Sequence, residues 1–455
     1  VQAAMKKLFS IFFLFFWSFS IFGEATKKDV AIAVGDVFAV NLLFNSAARI
    51  ILQEDYSDIN LSTMNDNLHS KWVWDEDGFF MNQFGHPYQG SLYFTSGRSN
   101  NLNFWQSFFL TAFGSFTWEE FGETTTPAIN DIITTSICGS VFGEALHRIF
   151  LDVNEICPPF AWILSPVDAL NNTLKGKKTK VTGHIEELDF ITFLSYEKTR
   201  TEAENMDSDL TKKTALAEGL HLQYGNPVAH TTAEPFDLFT ADASIFLSYH
   251  YFKFDFFIDG FLYSHALYFE NSEGTLGINL MYEGEKSTDI ILSTGAVGVK
   301  YIGSQQIFNS TGILGFFSQL DFIFMGTRSL YYLYDGLPIG SGNFNPIRSY
   351  NFTFGPLFKG GFSVEQKKYG KIFGEAEFNY TVPYPGSKLE EVKGNKHLIF
   401  IAKFGYEYNF PKYFTIGIDD SVIFKADWFD DEASTQQLVN SAKIYVKVRF
   451  ERKKD

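Results

Sequence analysis

Between residues 82 and 148 the chain gathers most of the side chains whose types and spacing could do chemistry. Asn82 and His86 lie in the run Asn82-Gln83-Phe84-Gly85-His86-Pro87-Tyr88, and Arg98, Glu119, Glu123, Asn130, Asp131, Glu144 and Arg148 follow. A hydrolytic site would use His86 as general base, oriented by Glu119 or Asp131, with Ser91 or water as nucleophile. A carboxylate-bridged metal site would use Glu144-x-x-His147, but such sites need two of these motifs and two further Glu, and one motif is visible. No metal and no cofactor is therefore expected. A structural network would pair Arg98 and Arg148 with the carboxylates and with Asn82 and Asn130, because buried charges must be paired. The apolar setting favours that network first, a small-molecule or lipid-headgroup site second and catalysis third. No residue is assigned a catalytic role.

Positioning these groups requires helices. Glu119 and Glu123 share one helix face at i, i+4, as do Glu144 and Arg148. Asn130 and Asp131 fall in the first turn after Thr126-Pro127, which reads as an N-cap followed by proline at N1. The helix it opens should run to about Asp152 and stop before Pro158-Pro159. Within it Thr135, Gly139 and Gly143 form a small-residue line that lets another backbone approach. Asn103 is expected to cap a further helix reaching Phe116. The apolar segment Asp36 to Leu52 reads as a helix with a polar stripe, Asn41, Asn45 and Arg49, which suits a plug facing a polar lumen.

The order of unusual residues from Asn82 to Arg148 resembles a bacterial outer-membrane family catalogued as domain of unknown function 3943, over roughly residues 82–150. That resemblance implies an outer-membrane protein with a helical N-terminal part. It implies no activity and no cofactor, and His147 lies outside its pattern.

Near residue 175 the apolar period changes from 3.6 to 2. Ile372, Ala376, Phe378, Tyr380 and Val382 alternate with Lys371, Glu375, Glu377, Asn379 and Thr381. Phe400, Phe404, Tyr406 and Tyr408 alternate with Lys403 and Glu407, and Ile444, Val446, Val448 and Phe450 with Lys443, Lys447 and Arg449. Strand side chains alternate faces, so each segment presents one apolar and one charged wall. Most of these segments exceed the ~9–11 residues a membrane-crossing strand needs. Counted back from the C-terminus, joints alternate long (429–436, 383–396, 328–349) and short (409–412, 366–370), which is the bacterial barrel pattern and puts the C-terminus on the periplasmic side. The expected fold is mainly β, an antiparallel transmembrane barrel of about twelve strands behind a small α-helical region. The polar stretch 197–237 reads as a surface loop, with at most one short strand. A soluble sandwich would show a less uniform and less aromatic wall.

Composition supports an envelope location. The 455 residues include 52 Phe, 22 Tyr and 7 Trp, more large rings than a soluble core readily packs. The charge of −16 argues against nucleic acid as a partner. Lys6 and Lys7 precede the apolar run Leu8 to Phe22, too short for the ~20 residues of a spanning helix and suited to a secretory signal cleaved after Ala25. Cys138 and Cys157 fit no metal or redox motif and read as two buried thiols. The divisions are thus 1–25 signal peptide, 26–174 helical periplasmic or plug-like region, and 175–455 outer-membrane barrel. The partners expected are outer-membrane lipid and the barrel-assembly machinery, and the small-molecule ligand is unknown. The function expected is a structural or transport-associated barrel of the cell envelope. The alternative is a barrel-embedded enzyme acting on lipid or lipopolysaccharide through His86, Glu119, Glu123 and Asp131.

Overall fold

The computed structural model describes residues 25–176, 184–203, 206–248, 251–286, 291–329, 350–387, 395–410, 414–429 and 434–451. Residues 1–24 of the expected signal segment 1–25, and residues 330–349 of the expected joint 328–349, lie outside the described residues. The chain divides into a helical unit and a β unit.

The helical unit contains α1 (Lys27–Ala47), α2 (Leu61–His69), α3 (His86–Ser99), α4 (Phe104–Phe121), α5 (Ile129–Ile133), α6 (Gly139–Val153), α7 (Pro158–Leu164) and α8 (Pro166–Lys175). Three starts are fixed by reciprocal side-chain caps: Thr26 with Asp29, Asn60 with Thr63, and Asn103 with Gln106. Asn103 is thus the cap expected of it. Thr126-Pro127 is not a helix start. The Pro127 carbonyl accepts from Val73 N, and the extended Ala128 caps α5 instead. A short parallel bridge between Val73 and Ala128 claims these residues, so the helix opens two positions late. A π turn, Thr134–Cys138, joins α5 to α6.

Ala33, Val37 and Val40 of α1 pack with Leu92, Tyr93, Leu110 and Phe113 in the unit's core. The small-residue line brings α3 and α6 into backbone contact. A Cβ on Gly90 would stand 2.0 Å from the Thr135 carbonyl oxygen, and one on Gly139 2.7 Å from the Gly90 Cα. The polar stripe of α1 is spent inside its own unit. Asn41 donates to Thr117 Oγ1 at 3.0 Å, Asn45 to the Ser57 and Gly122 carbonyls, and Arg49 pairs with Asp58. The stripe therefore gives no reason to place α1 in a lumen. Cys138 is buried, whereas Cys157 is exposed at the Pro158 helix start, against the expectation of two buried thiols.

The β unit is an antiparallel transmembrane barrel of twelve strands, closed because β1 pairs with both β2 and β12. In order they are β1 (Ile185–Ala203), β2 (Met206–Tyr224), β3 (Phe239–Ser248), β4 (Tyr251–Tyr268), β5 (Ser272–Lys286), β6 (Ile291–Ile307), β7 (Gly312–Ser329), β8 (Tyr350–Gln366), β9 (Gly370–Pro383), β10 (Asn395–Phe410), β11 (Phe414–Phe429) and β12 (Thr435–Glu451). Closure leaves no open edge, which is the condition for a sheet to sit in lipid. Outward residues are apolar and uncovered: Phe404 is 58% exposed and Ile444 59%, and Phe190 meets Phe450 edge-on at 5.7 Å. Inward residues are charged: Lys447 of β12 pairs with Glu407 of β10 at 2.5 Å, and Lys300 of β6 with Asp259 of β4 at 2.6 Å.

The stretch 197–237 is not a loop. β1 and β2 pair almost continuously through it, Glu197 facing Lys213 and Thr199 facing Thr211, and only 225–238 lies between β2 and β3. Ladder hydrogen bonds satisfy the backbone whatever the side chains are, so strands can extend past the apolar belt without an apolar wall to reveal them.

Candidate functional site

The structure separates the nine singled-out residues into two groups. Asn82, His86, Glu119, Glu123, Asn130 and Asp131 converge near the start of α5. Arg98, Glu144 and Arg148 form a second group between α3 and α6.

In the first group Asn130 is the hub. Its Nδ2 donates to Asp75 Oδ1 at 2.9 Å and to Asp131 Oδ1 at 2.7 Å, while its Oδ1 accepts from Asp75 N at 3.0 Å. Asn82 Nδ2 donates to the same Asp75 oxygen at 2.8 Å and to the Asp77 carbonyl at 3.1 Å. Glu119 Oε2 accepts from Ala128 N at 2.8 Å, and its other oxygen is buried without a hydrogen bond. Trp72 Nε1 donates to Glu120 at 3.1 Å. Asp75, Asp77 and Trp72 were not singled out from the sequence. The acidic run Trp74-Asp75-Glu76-Asp77 was the available signal, but it precedes the helix and belongs to no periodic pattern.

The electrostatics of this group are those of too many acids. No Lys or Arg pairs with Glu119, Glu123 or Asp131 among the described residues. Burial, followed by repulsion from Glu123, holds the Glu119 carboxyl well above its usual range. Burial, with Asp75 and Glu119 nearby, does the same to Asp131. Glu123 is pushed up to about 8 and Asp77 to about 6, again by burial first and neighbouring carboxylates second. Burial lowers the pKa of His86 and favours its neutral form. The single network of arginines and carboxylates expected from the sequence is therefore not what forms. Here protons, rather than guanidinium groups, neutralise the acids.

His86 Nε2 stands 3.5 Å from Asp131 Oδ1, and Ser91 Oγ donates to the Tyr88 carbonyl of its own helix at 2.6 Å.

In the second group Glu144 Oε1 accepts from Arg98 Nη2 at 3.3 Å and from Arg148 Nε at 2.7 Å, and its Oε2 forms an ion pair with Arg98 Nε at 2.8 Å. Both guanidinium groups hold its carboxyl below the usual range despite burial. Glu144 is thus committed, and His147 Nδ1 donates to Asp168 Oδ1 at 2.8 Å rather than joining it. Ser165 Oγ donates to the second Asp168 oxygen at 2.7 Å. Among the described residues no three His, Cys, Asp or Glu side chains are grouped to hold a metal ion.

The β unit contributes a third feature that sequence reading did not reach, a lumen cavity of about 910 Å³. Charged groups from strands around the barrel line it, among them Asp242, Lys300, Lys359, Lys403, Asp419 and Lys443. On one side it meets an apolar layer in which Leu292 of β6 packs with Ile399 of β10 and Val439 of β12. Those strands are not neighbours, so the layer crosses the lumen.

Residues 71–158 match the model of a domain of unknown function, DUF3943. The match covers both polar groups of the helical unit except Asp168. No curated protein matches the chain. Among solved structures it is similar to the Pseudomonas putida toluene transporter TodX, at 6% identity and a TM-score of 0.25, covering 59% of this chain and 90% of that one. It is also similar to the NanC porin, at 10% and 0.27, covering 56% and 98%. A third is OmpT, an outer membrane protein of Vibrio cholerae, at 7% and 0.21, covering 58% and 100%. The barrel of this chain is read from its own strand pairing.

Proposed function

We propose that the protein is an outer-membrane barrel that takes small polar solutes into its lumen as part of transport across the cell envelope. One observation carries the reading: a cavity of about 910 Å³ walled by charged side chains inside a barrel whose outer wall is apolar. A cavity of that size suits a small molecule. Inward charges cost desolvation energy unless water or a solute reaches them, so a purely structural barrel has no need of this wall. The layer of Leu292, Ile399 and Val439 supports a restricted passage rather than a wide pore. Reconstitution into planar bilayers tests this. Small, discrete conductance steps are expected, with swelling of liposomes in small polar solutes. Silent bilayers together with liposomes that do not swell would overturn it.

A further inference from the structure

Asp419 and Lys443 face each other across the β11–β12 pair and both line the lumen cavity. Opposed residues of an antiparallel pair have Cβ atoms about 4.5–5.5 Å apart, so an ion pair between them is within easy reach. None forms. Asp419 is only 6% exposed and its Oδ1 is buried with no hydrogen-bond partner. Among the described residues no carboxylate lies within 4 Å of the Lys443 ammonium, which instead sits 5.1 Å from the Phe193 ring centre and 5.3 Å from that of Phe246.

The charged groups nearest them have partners of their own, Asp255 accepting from Ser244 Oγ. Lys253 pairs with Glu285 at 2.7 Å, Lys447 with Glu407 at 2.5 Å and Lys403 with Glu375 at 3.6 Å. An unclaimed acid beside an unclaimed base, in a wall where neighbours are paired, is costly for the protein alone. A dipolar ligand removes the cost. Beside Lys443, Phe193, Phe246 and Tyr445 pack into an apolar cluster that can receive a side chain.

We infer that Asp419 and Lys443 form a binding site for a zwitterion with an apolar side chain, an α-amino acid or a short peptide. The ligand carboxylate meets Lys443 Nζ, its ammonium meets the Asp419 carboxylate, and its side chain lies against Phe193 and Tyr445, which line the cavity. This deepens the transport reading and rests on it for its biological sense.

The test uses the full-length protein in detergent and three probes by calorimetry: L-phenylalanine, 3-phenylpropionate and 2-phenylethylamine. L-phenylalanine should bind about tenfold or more tightly than either singly charged analogue, because only the zwitterion makes both charged hydrogen bonds. Lys443→Met should reduce L-phenylalanine to the level of 2-phenylethylamine and leave that amine unchanged. Asp419→Asn should reduce it to the level of 3-phenylpropionate. Heat-modifiable gel mobility checks that each variant is a folded barrel, and conductance is recorded on the same preparations. Equal binding of the three probes, no binding of L-phenylalanine at millimolar concentration, or variants that bind like the parent would overturn the site. Conductance without zwitterion binding sinks the site and leaves the transport reading. Selective binding with neither conductance nor liposome swelling upholds the site and sinks that reading.

Discussion

Asn130 holds Asp75 from both sides, donating to its carboxylate at 2.9 Å and accepting from its backbone N–H at 3.0 Å. The two lie 55 positions apart, so one amide side chain fixes the entry to α5 against the acidic segment before α3. Asn130 is wholly buried, and its short planar amide supplies the donor and the acceptor together. Asn130→Asp replaces the donor by a further carboxylate beside Asp75 and Asp131. It should destabilise the helical unit more than Asn130→Ala, which itself leaves buried groups unpaired at a cost of about 1–3 kcal/mol. Hydrogen exchange of the α5 and α6 amides in the full-length protein checks the order. Equal protection in both variants would remove Asn130 from its place as hub.

The acidic group predicts a pH dependence of definite sign. Glu123 titrates near 8 in the folded protein and near 4.5 when unfolded. The folded state therefore holds the extra proton between those values. Its contribution to stability is full below pH 4.5 and is lost as pH rises toward 8. Glu119 and Asp131 act in the same direction. Glu144, held low by two arginines, acts oppositely, and only as pH falls below its usual range. Amide protection in the helical unit should thus be greater at pH 5.5 than at pH 8.5. Glu123→Gln should flatten the difference by raising protection at the alkaline end. Protection that increases with pH in the parent protein would refute the assignment.

How much of this was legible in the sequence follows from which forces set each feature. The barrel was, because lipid outside and charge inside impose a period of two on Ile444 to Phe450 and its companions. The end-to-end course of β1 and β2 was not, because Glu197 to Thr201 lie in a stretch with no apolar wall to signal it. The polar residues of the helical unit were legible as candidates, since Glu119, Asp131 and Glu144 stand out in apolar helices. Their partition was not. Spacing places Glu144 beside Arg148, but only the fold brings Arg98 to the same carboxylate and leaves Glu119 without a cation. Pro127 misled because a tertiary bridge to Val73 outweighed a local helix-start signal.

The contact of α3 with α6 permits no side chain at Gly90. A Cβ there would stand 2.0 Å from the Thr135 carbonyl oxygen, a backbone atom that cannot swing aside. Gly90→Ala must push the helices apart at a cost of about 1–3 kcal/mol or more. Gly35→Ala, where no atom lies within 4 Å of the added Cβ, is the matched control and should stabilise α1 slightly. Limited proteolysis of the helical unit should therefore be faster than in the parent for Gly90→Ala and unchanged or slower for Gly35→Ala. Equal rates in the two variants would mean that the close approach is not maintained in solution.

The apolar layer across the lumen sets the last expectation. Leu292, Ile399 and Val439 come from three strands that do not pair with one another, so their contact exists only because they meet inside the barrel. Each strand is held by its ladder hydrogen bonds on both sides, and shortening one side chain leaves that ladder in place. Leu292→Gly removes a buried side chain that also borders the charged cavity, opening a path lined by the remaining polar wall. Cavity-forming changes of this kind cost about 2–5 kcal/mol, which a closed twelve-strand ladder can absorb. Single-channel conductance should rise several-fold over the parent in Leu292→Gly, and again in the double variant with Val439→Gly. Trp at position 292 should lower it instead. If neither enlarging nor filling the layer changes the conductance, solutes do not pass through this part of the lumen, and the layer is simply core.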